Sequence, residues 1–355
     1  MPRLALFVVL FAVLSLFLAG CSRGPEKVIT SNGTRVTDFD VSGRAICYTS
    51  RLSTPSDATE KLVFRDRATG NETVLESDFV GSFSLSGGRV AYFNRKLTDK
   101  DKDFVGPIVL YDAAEDQAKE TLSARVSTLA LDGKNLLVEK TFLRDRSTGS
   151  DVFLFDLDTG AETELSSGGE EATAYNETPA LSGNTVAWLE NVWRDKKFTL
   201  KIHDLASGKT ADVPLPDRAN FAVSGSKVVY SFADEKKVRR VHLYDVSSGA
   251  DILIASLPRL VSEPAIEGDA IAWTEHIPKD RFKPIPGQPL MDEKDVRDVF
   301  VYTISSASKR EIASALFATG ARVRISVGRV YMNLYRNAPP PGASNLVVPV
   351  DLVVW

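Results

Sequence analysis

Asp99, Asp101 and Asp103 alternate with Lys100 and Lys102, a spacing that imitates the opening of a calcium loop. Phe104, however, occupies the position that needs Gly, and Leu110 the position that needs the bidentate Glu. The interleaved lysines weaken the run further, so no calcium is expected there. The three histidines, His203, His242 and His276, stand at non-equivalent places and do not supply the convergent positions of a three-His metal site. No Gly-x-Ser-x-Gly elbow presents a serine nucleophile. Carboxylates abound, 47 in all, yet no spacing marks a glycosidase-like pair. Cys47 lies in Ala45-Ile46-Cys47-Tyr48, the setting of a buried small hydrophobe on a strand. These residues point to no catalytic group, no metal and no cofactor.

The elements that would position any such chemistry repeat. A short turn such as Val41-Ser42-Gly43 opens a strand, and a later strand ends in Asp and a second tight turn, as in Phe155-Asp156-Leu157-Asp158-Thr159-Gly160. Turn glycines at 43, 87, 133, 183, 225, 268 and 328 are spaced by 44, 46, 50, 42, 43 and 60 residues. That period is the length of a four-stranded propeller blade, and no segment sustains a helical pattern. The sequence therefore predicts an all-β chain, a seven-bladed β-propeller over residues 26–355. Asp recurring at this place in most units, though lost in the sixth at Thr303, reads as a turn residue accepting backbone N–H groups. Tyr48, Trp188, Tyr230 and Trp273 each fall five residues after a turn glycine and read as repeated packing residues.

The ends complete the pattern. The seventh unit stops at Trp355 after a third strand, Leu346 to Asp351, while Glu26 to Ser31 resembles the fourth strand Glu72 to Ser77. Residues 26–31 are expected to complete the last blade, closing the ring by pairing the N-terminal strand with the C-terminal blade.

Ahead of that strand, Arg3 precedes an apolar stretch from Leu4 to Ala19, too short for a spanning helix and suited to a secretory signal. It ends in Leu18-Ala19-Gly20-Cys21, which resembles the lipobox of bacterial lipoproteins. The resemblance implies a cleaved signal peptide at 1–20 and a lipidated Cys21 followed by a linker to residue 25. It also implies stable membrane anchoring by two or more acyl chains. Ser22 rather than Asp follows the cysteine, which favours the outer membrane, facing the periplasm, in a Gram-negative cell, and otherwise the outer face of the cytoplasmic membrane. Without Arg3 the chain has 42 basic and 47 acidic residues, which argues against nucleic-acid binding. So short a linker places the anchor near the short-turn face of the disc and leaves the long-loop face for a partner.

The candidate binding residues lie in what does not repeat. Long, charged loops follow the second strands of units two to five; those of units three to five carry a local basic excess on an acidic protein. Trp193, Arg194, Lys196 and Arg239 belong to them. Arg281 and Phe282 lie in the insertion from His276 to Asp298, rich in proline. The repeat units also resemble the TolB-like and WD40-like propellers of bacterial envelopes, best at Asp156 to Gly160 and Tyr244 to Gly249. This resemblance implies an extracytoplasmic interaction module. The expected function is a non-enzymatic, membrane-anchored scaffold for an envelope protein. The alternative is a carbohydrate-binding or carbohydrate-active propeller using the central funnel, marked by carboxylates and aromatics converging at its long-loop end.

Overall fold

The computed structural model describes residues 26–29, 34–52, 60–79, 81–94, 105–144, 147–171, 173–192, 194–257, 263–276, 296–317, 323–335 and 350–354. Among them every regular element is a strand.

The strands fall into antiparallel groups of four, in chain order from the centre outward. The first holds β2 (Thr34–Ser42), β3 (Ala45–Leu52), β4 (Glu60–Asp66) and β5 (Glu72–Glu76). Next come β6 (Gly81–Ser86), β7 (Arg89–Asn94) and β8 (Val105–Asp112), paired with the first part of β9 (Gln117–Asp132). The rest of β9 is the inner strand of the third group, with β10 (Asn135–Arg144), β11 (Ser147–Asp156) and β12 (Glu162–Glu164). The fourth is β13 (Tyr175–Ser182), β14 (Thr185–Val192), β15 (Lys197–Asp204) and β16 (Lys209–Leu215). The fifth is β17 (Asn220–Ser224), β18 (Lys227–Ala233), β19 (Arg239–Asp245) and β20 (Ala250–Leu257), and the sixth β21 (Ala265–Glu267), β22 (Ala270–His276), β23 (Val296–Thr303) and β24 (Ser308–Phe317). The last joins β25 (Val323–Ser326), β26 (Arg329–Tyr335) and β27 (Val350–Val354) to β1 (Glu26–Ile29).

Second strands are buried almost end to end, as in β7 and β14, because each group is covered on both faces by its neighbours. Outer strands such as β12 are exposed. Apolar clusters fill the seams: Phe39, Ile46 and Tyr48 meet Tyr331, Val354 and Ile29, and Trp188 and Val186 meet Leu137 and Val152. The innermost strands touch in a closed cycle, β2 to β6, β9, β13, β17, β21, β25 and back to β2. They enclose a channel of about 700 Å³.

The Ser of each inner turn has a further use that the repeat alone does not reveal. Ser42 Oγ accepts the Gly87 N–H at 2.9 Å, Ser86 the Gly133 N–H at 3.1 Å, and Asp132 the Gly183 N–H at 2.6 Å. Ser182 and Ser224 bind Gly225 and Gly268, Glu267 binds Val327 and Gly328, and Ser326 returns to Gly43 at 3.0 Å. Each turn thus caps the next around the whole cycle. Asp132 and Glu267 are carboxylate versions of the same device.

This ring corrects the turn assignment in the last unit. Val327, not Gly328, holds the first loop position after the strand, where Gly43 stands in the first unit; its φ is 53°. A left-handed conformation costs an L-residue roughly 1–2 kcal/mol, and Val327 is 67% exposed, so little packing compensates. Val327→Asn, which keeps the N–H bonded to Glu267, is expected to raise the unfolding free energy by about 1 kcal/mol in urea denaturation.

The third strand of the last unit also lies further along than the sequence suggests, at Val350–Val354. Its register with β1 sets Glu26 opposite Val354, Lys27 opposite Val353 and Ile29 opposite Leu352. The closing strand thus occupies the outer place expected for it, over Glu26–Ile29.

The repeated Asp residues are turn residues, as expected. Asp66, Asp112, Asp156, Asp204 and Asp245 each accept the N–H two residues on. Lys134 and the turn amides hold the Asp156 carboxyl down to about 2. Where the sixth group has Thr303 in place of Asp, Asp269 of the neighbouring turn takes over, accepting Ser305 N at 2.8 Å. The repeated aromatics are buried with their polar tips bonded: Tyr48 to Glu72, Trp188 to Asn176, Tyr230 to Asp251 and Trp273 to Glu275.

Candidate functional site

The connection from β14 to β15 is a tight hairpin. The Asp195 N–H bonds the Val192 carbonyl at 3.1 Å, and Lys196 takes φ 51°. In the adjacent group, Asp234 organises the turn from β18 to β19. Its carboxylate accepts the N–H groups of Lys236 and Val238, both at 2.9 Å, and the Arg240 guanidinium at 2.7 and 2.9 Å. Arg240 and these amides hold the Asp234 carboxyl below its usual range. Lys237 takes φ 61° in this turn.

Both turns therefore hold an exposed Lys in the left-handed conformation that Gly adopts at least cost. Of the residues expected from the sequence, Arg194 and Lys196 are exposed in the first turn, and Arg239 is half-buried at the start of β19. Trp193, Arg281, Phe282 and Cys21 lie outside the described residues. Lys237 and its organiser Asp234 were not singled out from the sequence, although an Asp opening a short polar run before a strand is a turn signal.

A second constellation lies behind the wall of the channel, of which Thr128, Thr178 and Arg218 form part. Glu139, 5% exposed, accepts Thr128 Oγ1 at 2.7 Å and the Thr178 N–H at 3.1 Å across the seam between the third and fourth groups. Thr178, which lines the channel, is held at φ 54° beside a register shift in β13. Glu177 pairs with Arg218 at 2.9 Å. Burial pushes the Glu139 and Glu177 carboxyls up, and the hydrogen bonds from Thr128 and Thr178 to Glu139 oppose the shift only in part. Among the described residues no three His, Cys, Asp or Glu side chains gather to hold a metal. The rest of the wall mixes Ser, Ala and aliphatic residues with charged ones, Asp38, Glu263 and the pair Asp40–Arg324 at 3.5 Å among them, and Phe83 and Phe221 pack into seams between groups.

The folded state favours the neutral form of Glu139, so its contribution to stability is greatest below the ordinary pKa of 4.5 and is lost as pH rises through the raised folded value. Glu139→Gln should remove this loss. The difference in denaturation midpoint between variant and parent is expected to grow in favour of the variant from pH 4.5 upward; a difference that does not change with pH would show that Glu139 titrates normally.

No family model matches the sequence, and no curated protein matches it. Solved structures do. The acylaminoacyl peptidase of Pyrococcus horikoshii is similar at 11% identity and a TM-score of 0.60, over 94% of this chain and 53% of that one. The β-propeller domain of the trilobed protease from Pyrococcus furiosus, which has an open velcro topology, is similar at 13% identity and a TM-score of 0.58, over 92% and 94%. An oligogalacturonate lyase in complex with manganese is similar at 11% identity and a TM-score of 0.57, over 93% and 95%. The chain spans about half the length of the peptidases it matches. These likenesses show the fold, a β-propeller. In this chain, unlike the open topology of the trilobed protease, β1 pairs with β27.

Proposed function

We propose that this chain is a seven-bladed propeller, anchored to a membrane of the cell envelope through lipidated Cys21, that acts as a non-enzymatic scaffold for an acidic protein partner. The closed cycle of inner strands supports the blade count. The observation that carries the functional reading is the pair of lysines, Lys196 and Lys237, kept in left-handed turns on adjacent blades. Stability alone favours Gly at both positions, and strained positions that persist against a cheaper residue cluster at binding surfaces. Arg194 stands in the same turn as Lys196 and Arg239 opens the strand after the turn of Lys237, and Trp193, Arg281 and Phe282 belong to the long-loop face by sequence. Stable anchoring at Cys21 leaves that face toward the partner.

Photocrosslinking in cells from positions 194 and 239 of the intact lipoprotein tests the reading. A discrete protein adduct is expected, and the double variant Lys196→Gly/Lys237→Gly should lose it while unfolding at an equal or higher denaturant concentration. Adducts with lipid alone, or adducts indifferent to both lysines, would overturn it.

A further inference from the structure

The outer edges of the blades are not alike. Those of the first, third, fourth and sixth carry charged residues or proline, such as Glu162, Pro214 and Lys309, which discourage pairing with another chain. The fifth ends in β20, Ala-Asp-Ile-Leu-Ile-Ala-Ser-Leu, with Ile252 54% and Leu253 49% exposed. Its one charge, Asp251, is bound by Tyr230 Oη at 2.7 Å and lies 3.1 Å from His242 Nδ1. Among the described residues β20 pairs only with β19, which leaves its outer edge open.

The two ends of that edge differ in charge. Beside Leu257 and Ser256 stand Arg239 and Arg240, and Arg240 Nη1 donates to Ser256 Oγ. The turn leading to them adds exposed Lys236 and Lys237. Beside Ala250 stand the acidic Asp245, with Lys227 opposite it on β18, and Asp251.

We propose that β20 pairs antiparallel with β20 of a second copy of this chain, forming a two-fold dimer. An antiparallel strand lays its N-terminal end beside the basic end of the edge, so the occupant must be an apolar strand headed by acidic residues. β20 itself has that pattern, with Asp251 ahead of Ile252, Leu253 and Ile254. Two-fold pairing about Leu253 sets the acidic head of each copy against the basic end of the other and covers both exposed apolar pairs. A two-fold interface requires such self-complementarity, and antiparallel pairing is the more stable arrangement. The interface goes beyond the scaffold reading and does not use Lys196.

The test is oxidative crosslinking of the purified full chain carrying Leu253→Cys, compared with Val74→Cys, a position 52% exposed on the outer strand of another blade. Cys47 is buried, and Cys21→Ser in both backgrounds removes the other cysteine. A covalent dimer is expected from Leu253→Cys and not from Val74→Cys. Adding Ile252→Lys should abolish it while the melting temperature stays unchanged. No dimer, equal dimer from both cysteines, or a dimer insensitive to Ile252→Lys would overturn the proposal. So would exclusive crosslinking of position 253 to another protein in cells. Lys196→Gly, at a residue that the scaffold reading needs and this interface does not use, should leave the dimer unchanged, which separates its failure from failure of the scaffold reading.

Discussion

A chain lacking Glu26–Ile29 will melt about 6–10 °C below the intact protein. Ile29 is 5% exposed and packs with Phe39, Tyr331 and Val354 in the seam between the last and first blades. Losing a side chain of that size from a core costs about 2 kcal/mol in transfer free energy. The deletion also exposes Val354 and strips β27 of its outer partner, whose backbone bonds contribute about 1 kcal/mol each. The combined loss of about 4–5 kcal/mol corresponds to roughly 1.5–2 °C per kcal/mol in a domain of this size. Ile29→Ala alone should produce about half the effect. Thermal denaturation of the deletion, of Ile29→Ala and of the parent decides the matter, and coincident curves would show that β1 does not hold the ring.

Ring closure was legible in the sequence because it depends on counting strands, and a strand missing at one end and spare at the other is visible without coordinates. The exact pairing was not. Apart from Asp351, Val350–Val354 is apolar like most of the residues before it, so little local distinguishes one register from another. The turn in the last unit misled for a related reason: Gly328 follows a Ser-Val pair and looks like the repeated glycine, whereas the hydrogen bond from Gly43 to Ser326 and those from Val327 and Gly328 to Glu267 fix the frame one residue earlier. Those partners are between 60 and 283 residues apart, beyond the reach of any local pattern.

The candidate surface divides in the same way. Basic residues in the turns were visible as composition, and so Arg194, Lys196 and Arg239 were named. Their significance as strained positions was not, because φ at Lys196 and Lys237 is set by hairpin geometry and by the Asp234 carboxylate. Glu139 was hidden more deeply. In the sequence it is one carboxylate among many on a strand. In the fold its register on β10 points it into the seam, where Thr128 and the Thr178 amide bind it. The lysine turns are set within their own blades by geometry that composition does not encode, whereas the Glu139 contact with Thr178 joins two blades, and the repeat describes each blade only by itself.

Gly169→Ala is expected to lower the unfolding free energy by about 3 kcal/mol, through the seam between the third and fourth blades. A Cβ at Gly169 would stand 2.4 Å from the Ser150 carbonyl carbon and 2.7 Å from Asp151 Oδ2, and one at Gly149 would stand 2.2 Å from the Gly169 carbonyl oxygen. These are backbone atoms and a buried carboxylate, so no flexible side chain can yield. Asp151 is 2% exposed and accepts the N–H groups of Gly169 and Glu170, Ser166 Oγ and Asn176 Nδ2. Displacing the loop to admit a methyl group therefore strips donors from a buried charge, which costs more than the contact itself. Burial already pushes the Asp151 carboxyl up against the pull of those donors, so their loss should raise it further. Asn176 also accepts Trp188 Nε1 at 3.1 Å, so the disturbance should reach the indole and shift its fluorescence before global unfolding. Gly88→Ala is the control: its Cβ would lie 3.7 Å from the Ala113 Cβ, an ordinary contact, and its midpoint in urea should stay within about 0.5 kcal/mol of the parent. Equal midpoints for the two variants would mean that the Asp151 loop yields without cost and that this seam is not held by its buried carboxylate.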